Sequence, residues 1–312
     1  MDALSDIVGL LRPQTVLLGE MAAAGSWGLR MPPQPGPIFY VVTEGHCFYL
    51  PEEGDPIALG VGDYMLSLKP GGDVFVSEPG AAIVLSGDAY KQSHKIDGTL
   101  RYGDPAAPPT TRKLGGLILC DPANADLLLE LLPRNVIVRA GEEAGARLRT
   151  LLSLIRQEAD AARPGREAIL SRLIEVLLVE TLRGEGQAAL LKSGILGGLA
   201  DRQLSEALAL IHADVRRNWT VGSLARQVGM SRSVFARRFS EIVGLTPVGY
   251  LLGWRMALAK DALVHGNKPL GQIAADIGYQ SASAFSTAFS VRTGLSPTQY
   301  AAQARGAVIA AA

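Results

Sequence analysis

Residues 224–230, "LARQVGM", return 49 positions later as "IAADIGY". The overlay pairs Leu224 with Ile273, Ala225 with Ala274, Val228 with Ile277 and Gly229 with Gly278. After one inserted residue, Phe235 pairs with Phe285, Phe239 with Phe289, Gly244 with Gly294, Pro247 with Pro297 and Tyr250 with Tyr300. A repeated supersecondary unit constrains a fold tightly, because the same apolar positions must be buried twice. In each copy the apolar residues mark one face of a short helix, a glycine ends it, and a serine caps the next. Two phenylalanines one turn apart then give the second helix its buried face. The spacing predicts helix, tight turn and helix in both copies. Between them, "PVGYLLGWRMALAKDALVHG" reads as a connecting helix that starts on Pro247, a favoured first-turn position.

The outward faces of the two second helices differ. The first copy presents Ser231, Arg232, Ser233, Ala236, Arg237 and Arg238; the second presents Ser281, Ala282, Ser283, Ser286 and Thr287. A helix-turn-helix lays the start of its second helix against base edges in the major groove. Arginine can bridge guanine O6 and N7, so Arg237 is the expected base reader, with Arg232 and Arg238 on phosphates. The short hydroxyls of the second copy have little reach. Charge supports double-stranded DNA as the partner. The chain's 30 basic and 30 acidic residues cancel, yet residues 201–312 hold 12 Lys and Arg against 6 Asp and Glu, a net of +6, and residues 1–200 hold 18 against 24, a net of −6.

The N-terminal part has a different period. From about Trp27 to Val84, β-rich runs such as "IFYVVTEGHCFYL" alternate with Gly and Pro, which predicts a small antiparallel barrel or sandwich. Residues 86–113 are polar and turn-rich and read as a long loop, followed by a strand at "LGGLILC". A helical period begins at "ANADLLLELL", is interrupted by a strand at "NVIVRA", and resumes in helices over 142–162 and 165–184, parted by Pro164 and Gly165. The glycine-rich stretch 184–202 reads as a connection. The fold class is therefore α+β: a β-barrel domain with accessory helices over 1–185, a linker over 186–202, and an all-α double helix-turn-helix domain over 203–312. No uninterrupted apolar run reaches about 18 residues, so no membrane span is expected. "MDALSDIVGLL" lacks a basic n-region, and two cysteines, Cys47 and Cys120, are too few for a disulfide framework; both point to the cytoplasm.

Residues 204–300, through "WTVGSLARQVGMSRSVFARRFSEIVGLTPVGYL", "RMALAKDAL" and "IAADIGYQSASAFSTAFSVRTGLSPTQY", resemble the AraC/XylS family of transcription regulators. The resemblance implies two helix-turn-helix units reading adjacent major-groove segments of a promoter. Thr287 and Ser290 stand where that family often has basic residues. The N-terminal stretches "MDALSDIVGLLRP", "FYVVTEGHC" and "GDYMLSLKPGGD" resemble a cupin sensor domain, which implies a small-molecule effector. Metal-binding cupins carry an HxH pair, a Glu and a later His. Here HxH is missing, and the alignment puts Ile38 and Asp73 at ligand positions, so neither a metal, nor another cofactor, nor an enzyme activity is expected. The candidate pocket is Ile38, Tyr40 and Val42 with Asp73. The alternatives are a cupin-type enzyme with a DNA-binding domain, and a redox-responsive regulator using Cys47 and Cys120. In "EAILSRLIEVLLVETLRG" apolar residues sweep more than one helix stripe, which predicts a homodimer with Leu178 on the covered flank.

Overall fold

The computed structural model describes residues 2–68, 71–85, 95–96, 98–104, 106–121, 124, 129, 131–161, 163–183 and 194–311. The chain divides into two compact units. One comprises Pro13–Cys120 and Arg134–Leu190; the other comprises Met1–Arg12, Asp121–Pro133 and Leu191–Ala312.

The first of these is β-rich. Its strands are β1 (Pro13–Ala24), β2 (Gly28–Arg30), β3 (Ile38–Glu44), β4 (His46–Leu50), β5 (Ile57–Gly60), β6 (Tyr64–Ser67), β7 (Val74–Val76), β8 (Val84–Leu85), β9 (Lys95–Ile96), β10 (Thr99–Gly103), β11 (Thr111–Cys120) and β12 (Asn135–Val138). One sheet runs β12-β6-β3-β11-β1-β10-β9 and the other β5-β4-β7-β2-β8. Most pairings are antiparallel, but β1 with β10 and β2 with β8 are parallel. Strand period two sends alternate residues into the space between the sheets. Ile38, Tyr40 and Val42 enter it from β3, Cys47 and Tyr49 from β4, Met65 from β6 and Phe75 from β7.

Two corrections concern the turn-rich stretch 86–113. Residues 99–103 form a strand, paired with β1 over 100–103, and β11 starts at Thr111 rather than at Leu114. The polar residues Thr111, Arg112 and Lys113 join the ladder because β1 pairs with all three, and β3 with Arg112 and Lys113 on the other side, which overrides side-chain polarity. Residues 86–94 lie outside the described residues, as does most of "ANADLLLELL".

Helices α2 (Glu143–Asp160) and α3 (Arg166–Leu182) pack together, and α3 packs on β1. Gly165, with φ of 85°, makes the sharp break between them. Leu178 is fully buried within this unit. Leu178 is thus covered within the single chain, where α3 packs on α2 and β1, and is no interface residue. Ile169 and Val176, each 46% exposed and two turns apart, form the uncovered stripe instead.

The helical unit comprises α1 (Ala3–Leu11), α4 (Gly194–Ala200), α5 (Arg202–Ala213), α6 (Val221–Gln227), α7 (Arg232–Val243), α8 (Pro247–His265), α9 (Leu270–Asp276), α10 (Ala282–Thr293) and α11 (Pro297–Ala311). Part of the glycine-rich stretch 184–202 is thus a helix, α4. Ile195 and Leu196 bury its apolar side, and a Cβ at Gly198 would meet Val243 Cγ2 at 2.9 Å. Gly198 thus serves close helix packing. The N-terminal helix also belongs here. Asp2 caps α1 by accepting from Ser5 N, and Arg12 pairs with Asp261 at 2.6 Å. His212 is enclosed: Nδ1–H donates to Asp6 at 2.9 Å, the Tyr250 hydroxyl donates to Nε2 at 2.7 Å, and the ring stacks on Trp254 at 4.2 Å. Burial holds its pKa below the ordinary histidine value, against the pull of Asp6, so it is neutral with both nitrogens satisfied. The segment after β11 is fixed to the same unit by His265 Nε2 on Asp121 at 2.9 Å.

Among the described residues no single helix is long and apolar enough to cross a membrane.

Candidate nucleic-acid interface and barrel interior

The two helix-turn-helix units are built alike, one on α6 and α7 and the other on α9 and α10. Leu224, Ala225 and Val228 are buried, as are Ile273, Ala274 and Ile277. Gly229 and Gly278 take φ of 67° and 84°, a region that favours glycine. The next residue closes the turn in both copies, Met230 N donating to Ala225 O and Tyr279 N to Ala274 O, each at 2.8 Å. The inserted residue is Gln280, immediately before the capping serine. Ser231 then accepts from Val234 N, and Ser281 from Ala284 N, as N-caps. Phe235 and Phe239 pair at 5.7 Å between ring centroids, Phe285 and Phe289 at 5.5 Å, and all four are fully buried. Thr220 adds a capping box at the start of α6.

The outward side chains behave differently from one another. Ser231, Arg232 and Ser233 are exposed, and Ala236 is half-buried. Arg237 is 73% exposed, with only Glu241 nearby at 3.9 Å, a contact too loose and too wet to hold it. Arg238, 46% exposed, pairs with Asp201 at 2.5 Å, and Asp201 is also the N-cap of α5. The geometry thus separates three arginines that the sequence groups together: Arg232 and Arg237 face outward, whereas Arg238 fastens α7 to α5. In the second copy Ser281, Ser283 and Thr287 are exposed and Ser286 is half-buried. Two hydroxyls are already engaged by the helix backbone, Ser286 Oγ donating to Ala282 O at 2.8 Å and Thr287 Oγ1 to Ser283 O at 3.1 Å.

Between the sheets, Ile38, Tyr40, Val42 and Asp73 are all buried. The Tyr40 hydroxyl lacks a hydrogen-bond partner. Burial raises the Asp73 carboxyl, with Ser67 and Arg134 pulling it down, and lifts the Tyr40 phenol well above its usual value. Lys113 joins this interior and was not anticipated from sequence, because it falls in the stretch read as loop. It is 4% exposed, and its Nζ also lacks a hydrogen-bond partner. The signal that could have found it is the alternation Lys113, Gly115, Leu117 in β11, opposite Val42, Tyr40 and Ile38.

Neither cysteine is in a disulfide. Cys47 is fully buried, and burial pushes its thiol up, against a smaller opposing pull from Lys113. That environment disfavours the thiolate that oxidants attack. Cys120 is half-buried. Among the described residues no three His, Cys, Asp or Glu side chains gather as a metal site, and Ile38 and Asp73 stand apart from any such group.

Comparison with known proteins places this geometry. A cupin family model matches residues 2–185, and a helix-turn-helix domain model matches residues 224–303. A protein of Streptomyces lividans named as an AraC-like transcription regulator is 34% identical over 96% of this chain and 98% of its own length. Its namesake in Streptomyces antibioticus is 33% identical over the same shares of each chain. The HTH-type transcriptional regulator AlkR of Acinetobacter baylyi is 32% identical over 97% of this chain and all of its own length. With two helix-turn-helix units behind a cupin domain, and likeness along its full length, the chain belongs to the AraC-like family of DNA-binding transcription regulators.

Proposed function

We propose that the protein controls transcription from a promoter through two unequal helix-turn-helix units, under the control of a small molecule held by the cupin domain. The observation that carries this reading is the pair Arg232 and Arg237, exposed at the start of a recognition helix whose caps and core are otherwise complete. In this reading Arg237 reads a base, and Arg232, Ser231 and Ser233 set the register on phosphates, with Ala236 against the groove. The second helix, with Ser281, Ser283, Ser286 and Thr287, lies in the neighbouring groove and contributes closeness rather than charge.

The cupin-like part, residues 1–185, senses and dimerises; residues 203–312 bind DNA. The effector acts by linkage, binding one arrangement of the protein better than the other and so changing the DNA-competent population. The path supporting it is covalent, because α1 runs directly into β1, and β11 runs directly into the segment that His265 holds. The dimer is supported by the exposed Ile169 and Val176 on α3. The protein acts in the cytoplasm and not as an enzyme.

The test is genome-wide mapping of bound DNA followed by titration of the full-length protein on the site found. Binding should weaken steeply with salt, since phosphate contacts release counterions. No preference for any duplex over random sequence at low salt refutes the reading. Light scattering that finds a monomer at micromolar concentration refutes the dimer alone.

A further inference from the structure

We propose that Lys113 is the anchor of a site for a small monocarboxylic acid inside the barrel, an inference that rests on the sensing role proposed above. β11 sets Lys113 between Val42 of β3 and Met21 of β1, facing the space between the sheets. Its Nζ lies 3.7 Å from the Phe75 ring centroid, 5.3 Å from that of Trp27 and 5.9 Å from that of Tyr40. Aromatic faces attract a cation, but they replace neither its lost hydration nor a counter-ion. A leucine or methionine would fill the same place without that cost. Burial lowers the lysine's pKa accordingly.

Two neighbouring donors are in the same position. Trp27 Nε1 and the Tyr40 hydroxyl are also buried with no hydrogen-bond partner. Three donors around one site call for an acceptor, and a carboxylate supplies both the charge and several lone pairs. Asp73 narrows the class. It is a buried acid that adds to burial in raising the Tyr40 and Tyr49 phenols, and a second acidic group on the ligand would be disfavoured beside it. The rest of the lining, with Met21, Leu29, Leu59 and Met65, suits an apolar body. Room comes from movable parts. Gly115, the next inward position on β11, has no side chain, and the end of Met21 lies over it, 3.3 Å from where a Cβ would be. Lysine and methionine are unbranched and change rotamer readily, so the acid displaces the Met21 methyl and draws the ammonium off the Phe75 face.

The test uses the full-length protein with benzoate, phenylacetate, hexanoate and octanoate, each against its amide, in thermal melts and calorimetry. At least one acid should raise Tm while its amide does not. Lys113→Met should raise the Tm of the unliganded protein and weaken that acid by about tenfold or more, the loss of a charged hydrogen bond. Tyr40→Phe, which removes one hydroxyl and keeps the packing, should weaken the acid by about threefold to tenfold. Equal binding of acid and amide, or undiminished binding to Lys113→Met, overturns the anchor and leaves the sensing role standing. Should Lys113→Met fail to fold, undiminished acid binding to Tyr40→Phe overturns it in the same way. If no acid binds, the inference also falls, and the sensing role is then decided by whether protein-free cell extract changes the DNA affinity of the wild type.

Discussion

The two helix-turn-helix units share the contacts that build them and differ in what they show to the outside. Turns closed by Met230 N on Ala225 O and Tyr279 N on Ala274 O, serine caps, paired phenylalanines and left-handed glycines ending the second helix, Gly244 and Gly294, recur in both. Outside, Arg232, Arg237 and Arg238 of the first copy correspond to Ala282, Thr287 and Ala288 of the second. A hairpin of helices needs the first set to fold and nothing of the second set. The difference teaches that folding requires the inner set in both copies, while the outward positions carry no such constraint.

The likeness of the turns has a limit that a pair of substitutions exposes. At Gly229 a Cβ would meet nothing within 4 Å, whereas at Gly278 it would lie 2.6 Å from Arg216 O and 2.6 Å from Arg255 Nη2. Arg255 is itself committed, its Nε donating to Val215 O at 2.9 Å. Gly229→Ala should therefore cost only the left-handed strain, about 1–2 kcal/mol. Gly278→Ala adds a collision with backbone and should cost about 3–5 kcal/mol. Denaturant titration of each variant measures the gap. Equal losses would mean that the segment holding Arg216 yields, and that the two turns are interchangeable.

Next in size is the effect on DNA. Arg237→Ala should lose about 1–3 kcal/mol on the specific site, relax preference at one base pair, and leave stability unchanged. Arg238→Ala should do the reverse, since it removes the cation paired with Asp201 at the start of α5, which is left with its two N-cap hydrogen bonds. Fluorescence anisotropy on specific and random duplexes separates the two. An equal loss for Arg237→Ala on both duplexes would move it to a phosphate, and a selective loss for Arg238→Ala would mean that its ion pair opens on binding.

What the sequence let one read follows the same division. The repeat, the barrel strands and the inward set Ile38, Tyr40 and Val42 are written as periodicity, which burial enforces at every turn or second residue. Arg238 groups with its neighbours in the sequence because helical position says which way a side chain starts, not that Asp201, the N-cap of α5, lies within its reach. Lys113 was missed for a related reason: a polar residue carries no periodic signal until the strands on both sides are known. The glycines of α4 read as a linker because close packing and flexibility use the same residue.

The smallest effect tests the silent face of the second unit. Thr287 is exposed on α10, and its hydroxyl is turned back to Ser283 O, so nothing in the fold depends on its reaching outward. Thr287→Arg supplies the long cation that Arg237 supplies in the first copy, at the equivalent position, and arginine is the better helix former. If this face lies in a major groove, the new guanidinium meets phosphate or a base edge. Affinity should then rise by about tenfold, roughly 1.4 kcal/mol, and the dependence of log affinity on log salt should steepen by about 0.9 for one added phosphate contact. The gain should be present on random duplex as well, because a phosphate carries no sequence information. Unchanged affinity together with an unchanged salt slope would show that α10 stands clear of the DNA, and that the second copy keeps its fold for packing alone.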